Sequence, residues 1–216
     1  MESNKPEPRW TRRKDARPQE LLDAALNMFV EKGYAATKLD EVAKQAGVSK
    51  GTVYLYFANK EELFKAVVQN HIVTALDNIE EAANIHRGSV SDLLSKLIKI
   101  WWNNVGATRS SAIAKVIIAE AGNFPEIAKF YHEEVIFRGE NMTMQIIQRG
   151  IDAGEFRRVD TRTISHLIMS PFLFLCIWKY SFSQYASQSP DPSEVIEAHI
   201  EMILKGLSNQ TEEDHE

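Results

Sequence analysis

The sequence predicts an all-α fold of about nine helices, the first three forming a small N-terminal unit and the rest a larger helical body. Three observations carry this. Apolar residues recur with the 3.6-residue period of amphipathic helices, and alternating strand patterns are nearly absent. Capping residues and glycines punctuate the chain at helix-length intervals. The 216 residues are 44% hydrophobic and 25% charged. Those are ordinary globular values, which exclude collagen-like and low-complexity classes and suffice for a core without disulfide staples.

Residues 1–16, with Pro6, Pro8 and many charges, have little to bury and read as a flexible basic arm. The first helix runs from Pro18, whose missing N–H costs nothing in a first turn, to Lys32. Leu21, Leu22, Ala25, Leu26, Phe29 and Val30 form its apolar stripe, and Gly33 supplies the stop. Thr37 opens the second helix, with Asp40 three residues on as a capping-box partner. Leu39, Val42, Ala43 and Ala46 face inward, and Gly47 ends the helix. Ser49 caps a third helix from Lys50 to Phe57, with Val53 and Phe57 inward. Asn59 and Glu62 cap a long fourth helix that reaches about Ala83. Further helices follow near 89–104, 107–121, 125–150, 161–184 and 192–207. Their starts are marked at Ser89, Asn123–Pro125, Asp160 and Asp191–Pro192, and their stops at Gly106, Gly122 and Gly154. A polar, acidic tail occupies 209–216.

The charge is divided. The chain carries a net −5, yet residues 1–60 hold 11 Lys+Arg against 8 Asp+Glu, and residues 61–216 hold 14 against 22. The densest basic patch, Arg9, Arg12, Arg13, Lys14 and Arg17, lies in the arm. A basic end on an acidic body suits contact with a polyanion, against the plainer alternative of a solvated tail. The single cysteine, Cys176, rules out a disulfide within the chain and a cysteine-rich zinc site, and fits a reducing cytoplasm. The longest apolar run, Leu167 to Trp178, is broken by Ser170 and Pro171 and is too short to span a bilayer. No membrane partner, signal peptide or cofactor is expected.

The informative stretch is Thr37 to Lys60. Two short amphipathic helices meet at Ala46–Gly47–Val48: small residues permit close crossing, Gly47 permits the turn, and Val48 plugs the corner. This is the helix-turn-helix pattern, whose second helix enters the major groove of DNA. Ser49, Lys50, Gly51, Thr52, Tyr54 and Tyr56 on that helix, Thr37 and Lys38 before the previous one, Lys60 opening the next, and Arg12 and Arg13 of the arm are the candidate DNA contacts.

The run from Gly33 to Phe64 resembles the DNA-binding domain of TetR-family transcriptional regulators. Phe29, Gly33–Tyr34, Thr37, Val42–Ala43, Ala46–Ser49, Gly51–Thr52, Tyr54, Tyr56–Phe57, Lys60–Glu61 and Leu63 carry the resemblance, which covers about 17–66. Residues 67–208 match the family only in length and helical pattern. The resemblance implies a homodimer on a palindromic double-stranded DNA operator, repression by default, and release by a small molecule bound in 67–208. A regulator without an effector, or an activator, is the alternative.

Within 67–208, Trp101, Asn104, Glu120, Phe137, His166, Met169 and Phe172 are the candidate ligand contacts, with Gln145 a further polar candidate, predicting a largely hydrophobic effector. Trp178, Ile196, Ile200, Ile203 and Leu204 are the candidate dimer interface. An enzymatic reading rests on Gly47–Val48–Ser49–Lys50–Gly51, which matches the G-x-S-x-G of hydrolase nucleophile elbows. That motif needs a strand before it, whereas a helix precedes it here, so Ser49 reads as a cap and no enzyme is expected. His132–Glu133 opens like a zinc-binding H-E-x-x-H but has Ile136 at the second histidine position, so no metal is expected.

Overall fold

In the computed structural model, described for residues 18–209, nine helices occur among the described residues. They are α1 (Pro18–Ala36), α2 (Leu39–Gln45), α3 (Lys50–Tyr56), α4 (60–85), α5 (90–106), α6 (109–120), α7 (125–152), α8 (Thr161–Tyr185) and α9 (Pro192–Leu207). Four contain a wider π turn: Gln69–Val73 in α4, Trp102–Gly106 in α5, His132–Phe137 in α7 and Trp178–Phe182 in α8. The described chain divides at Val67–Val68 into two compact units.

The expected caps form. Ser49, Ser89, Asp160 and Asp191 accept backbone N–H groups of the turns they open, at Thr52, Asp92, Thr163 and Ser193. At Gly33 the backbone takes φ 81°, a left-handed conformation open to glycine, and one further turn follows it to Ala36. The second helix departs from expectation. It starts at Leu39 after an uncapped Lys38, because the Thr37 hydroxyl turns away from Asp40 and lies 2.7 Å from the Gly33 carbonyl and 3.2 Å from that of Met28.

The first unit packs around an aromatic trio. Phe64 lies edge-on to Phe29 at 5.1 Å and to Tyr34 at 5.3 Å between ring centroids. Leu21, Ala25, Val42, Val53, Leu63 and Val67 are wholly buried in the same unit. The second unit's core joins α4, α5, α7, α8 and α9 through Ile79, Leu93, Leu97, Ile147, Phe156, Ile168, Phe172, Ile196 and Ile200. Gly150 lets the Phe156 ring lie against α7, since a Cβ there would sit 2.1 Å from it. The α8 stretch Thr161–Tyr185 is long and apolar enough to cross a bilayer by length and composition alone. Here its Ser165, Ile168, Phe172, Leu175 and Cys176 are buried within the unit.

A long-range cap closes α5. The Glu155 carboxylate accepts the N–H groups of Val90 and Ser91 at 2.8 and 3.0 Å. The bond from Val90 N–H leads the causes that hold its pKa below the usual carboxylate range. A depressed folded-state pKa contributes stability above the unfolded value of about 4.3 and loses it as pH falls through the folded value. Glu155→Ala should therefore cost about 1 kcal/mol near neutrality, in the range of other helix caps, and the difference from wild type should shrink below pH 4. Thermal melts from pH 3 to 7 test this; a constant difference across that range would remove the carboxylate from the account.

Candidate nucleic-acid interface and effector cavity

Three elements of the first unit build one surface. A shallow concavity of about 430 Å³ is lined by Thr37, Lys38, Leu39, Asp40, Lys50, Tyr54, Ala58, Asn59 and Lys60. It gathers residues from the start of α2, the start of α3 and the start of α4, and so joins five of the eleven predicted DNA contacts. Tyr54 and Tyr56 are half exposed, while Val53 just before them is wholly buried, so α3 leaves its phenols accessible. Ser49 Oγ accepts the Thr52 N–H and lies 2.8 Å from the Thr52 hydroxyl. Its bonds are those of a helix cap. Arg12 and Arg13 lie outside the described residues.

Two of the predicted contacts do something else with their side chains. Thr37 is buried, and its hydroxyl ties the start of α2 to α1 carbonyls, so only its backbone is left for a ligand. The other is Lys60. Its ammonium donates to the Tyr34 and Ala35 carbonyls at 2.7 and 2.8 Å and stands 4.5 Å over the Tyr34 ring. Those carbonyls belong to the last turn of α1, where partial negative charge gathers. Lys50 pairs with Asp40 at 2.8 Å and lies over Tyr54. The Asp40 carboxylate holds its ammonium above the ordinary lysine pKa. Sequence reasoning missed Leu55, which is 80% exposed at the middle of the outward face. The signal was available, since Leu55 lies two residues past inward Val53, on the far side of a helix.

The second unit holds a cavity of about 600 Å³ between α4, α5 and α7. Ala83, Leu93, Phe137, Met142 and Ile146 are its apolar lining; Glu80, Asn84, Glu133, Arg138, Asn141, Gln145 and Arg149 are its polar lining. Arg138 grips Glu80 with two bonds of 2.8 and 2.7 Å and Asp77 with a third of 2.6 Å. These bonds raise its already high pKa and fix α7 against α4 beside the cavity.

Of the predicted ligand contacts, Phe137 and Gln145 line this cavity. Trp101 and Phe172 pack on each other at 4.9 Å, and Met169 packs beside them against the core. Asn104 is exposed, and Glu120 lies on α6, which contributes nothing to the lining. His166 is exposed and pairs with Glu140 at 3.3 Å. The expectation picked aromatic residues by type, whereas the cavity follows one stripe of α7 at 138, 142, 145 and 149, a helical spacing that was legible. The lining is also more polar than a purely hydrophobic effector requires.

Among the predicted dimer residues, Ile196 and Ile200 are buried in their own unit's core, and Ile203 and Leu204 pack against it. Trp178 is half-buried between Phe174 and Phe182, with centroids 5.8 and 6.1 Å away. The apolar side chains left exposed on α8 and α9 are instead Leu167, Leu173, Phe174, Phe182, Tyr185 and Met202. Among the described residues no group of three His, Cys, Asp or Glu side chains is placed to hold a metal ion.

The family model for bacterial regulatory proteins of the tetR family matches residues 21–67. That for the C-terminal domain of AefR-like transcriptional repressors matches residues 92–206. The chain belongs to the TetR family of DNA-binding transcriptional regulators. Among TetR-family relatives, the uncharacterized HTH-type transcriptional regulator YfiR of Bacillus subtilis is 30% identical over 149 residues, 68% of this chain and 71% of that one. The fatty acid metabolism regulator protein of the same species is 24% identical over 201 residues, 91% of this chain and all of that one. The fold matches the B. subtilis transcriptional regulator FadR in complex with stearoyl-CoA with a TM-score of 0.71, at 22% identity over 88% of this chain and all of that one.

Proposed function

We propose that this TetR-family chain is a homodimeric transcriptional repressor that leaves a palindromic operator when an amphiphilic ligand fills the cavity of its second unit. The observation that carries the DNA reading is the concavity joining Lys38, Lys50, Tyr54 and Asn59 beside the outward phenols of α3. Lysines and hydroxyls meet phosphates, and the exposed helix face suits a major groove. The basic arm, with Arg12 and Arg13, supplies charge that the described part of the first unit lacks. Leu167, Phe174 and Met202 are the apolar surface we assign to the dimer.

For the ligand, a cavity lined by apolar Ala83, Leu93, Phe137, Met142 and Ile146 together with polar Asn84, Gln145, Arg138 and Arg149 and the carboxylates Glu80 and Glu133 favours a molecule with both an apolar part and a polar head. A long-chain acyl-CoA, the class bound by the B. subtilis structural neighbour, is the first probe. The coupling we propose runs along α4, whose helical backbone starts at Lys60 and carries Glu80, Ala83 and Asn84 on the cavity. A ligand that favours the state unable to bind DNA lowers operator affinity by the coupling energy, typically about 1–3 kcal/mol.

The test is operator anisotropy with and without stearoyl-CoA, using DNA selected by the full chain from random duplexes. Tyr54→Ala should lose about 1–3 kcal/mol of specific affinity. Stearoyl-CoA should lower wild-type affinity about 5- to 150-fold and do less to Arg149→Ala. Tight binding of stearoyl-CoA with unchanged operator affinity would refute the release mechanism, and full specific binding by Tyr54→Ala would refute the interface.

A further inference from the structure

Between Lys50 and Tyr56 the sequence KGTVYLY contains no Arg, Asn, Gln, Asp or Glu. Those are the side chains that read guanine, adenine and cytosine edges by paired hydrogen bonds. The one cation, Lys50, is held by Asp40 at 2.8 Å, and the hydroxyls of Ser49 and Thr52 face each other at 2.8 Å. What this face offers instead is Leu55, 80% exposed, between two half-exposed phenols. A lone exposed leucine is ordinary on a protein surface. At the centre of a groove-reading face it is a chemical statement, because the major groove displays a single apolar group, the C5-methyl of thymine. Over cytosine the same side chain strips water from an amino group and returns no hydrogen bond.

We propose that α3 selects thymine through its methyl group and that Leu55 is the selecting side chain. This rests on the reading that α3 enters the major groove. The half-site is accordingly marked by thymine at the step under Leu55 rather than by a guanine held by a basic side chain.

The experiment selects duplexes from a random library with the full chain, then replaces each enriched thymine by deoxyuridine, which removes only the methyl. At one position per half-site, uracil should weaken wild-type binding about 4-fold, the worth of one buried methyl-sized group. Leu55→Ala should weaken binding to the thymine operator by a similar factor and bind thymine and uracil operators equally. Placing 5-methylcytosine opposite guanine at that step should recover part of what plain cytosine loses, for wild type only. The proposal is overturned if wild type ignores every thymine-to-uracil change, or if Leu55→Ala keeps the wild-type preference. Those outcomes leave the parent reading standing. That reading fails separately if Tyr54→Ala retains full affinity and the same enriched sequence.

Discussion

Phe64→Ala is expected to unfold the DNA-binding unit while leaving the second unit folded. Phe64 is wholly buried and touches both partners of the trio edge-on, with Phe29 and Tyr34 about 5 Å away. Removing a buried phenylalanine costs about 3–5 kcal/mol, the transfer energy plus the cavity left behind. A unit of roughly 50 residues has only about 2.5–7.5 kcal/mol of stability at 0.05–0.15 kcal/mol per residue. Most or all of it is therefore lost. Limited proteolysis should cut within 18–67 and leave a resistant fragment from 68 onward, and specific DNA binding should disappear. Phe64→Leu, which keeps most of the volume, should retain both folding and binding. If Phe64→Ala resists protease like wild type and still binds DNA, the trio is not what holds this unit.

Phe174→Glu is expected to convert the proposed dimer to a monomer and to lower operator affinity about 100- to 10,000-fold, the loss when two linked half-site contacts become independent. Leu167, Phe174 and Phe182 lie seven and eight residues apart, about two turns each, on one side of α8, and each is about half exposed in the protomer. Together with Met202 of α9, at 72% exposure, they are the apolar side chains we assign to one surface that the protomer itself does not cover. A carboxylate at its centre leaves an uncompensated charge in any interface built there. Because Phe174 is exposed in the protomer, helicity should remain at the wild-type level. Light scattering at micromolar protein reads the mass directly. Ile118→Glu, equally exposed but on α6, should leave the mass unchanged. A dimeric Phe174→Glu variant, or a monomeric wild type, would contradict the assignment.

How much of this was legible depended on the kind of residue. Helix starts were legible because a cap is a local bond: Ser49, Ser89, Asp160 and Asp191 each satisfy an N–H two or three residues away. Thr37 looked the same in sequence, but its hydroxyl went to α1, a segment a cap motif knows nothing of. The bonds of Lys60 to α1 were hidden for the same reason, since its acceptors lie 25 and 26 residues earlier. The outward turn of Tyr54 was legible from buried Val53, because successive helical residues point about 100° apart; the half exposure of Tyr56, three residues on and so near the face of Val53, was not.

By itself, then, the sequence determined the all-α class, the helix boundaries to within a few residues and the helix-turn-helix motif, all of which rest on interactions spanning a few residues. Only the tertiary structure decided which apolar side chains the protomer keeps for itself. Ile196 and Ile200 entered the core beside Phe172, while Phe174 and Met202 stayed outside, though all are apolar residues on amphipathic helices. The cavity was decided the same way. Its position follows from where α4, α5 and α7 fail to fill the space between them, and the Arg138 bonds to Glu80 and Asp77 bridge 58 and 61 residues of chain. Periodicity tells that a helix has a buried face; which neighbour covers that face depends on packing between segments far apart in the chain, where shape and volume rather than local pattern set the outcome.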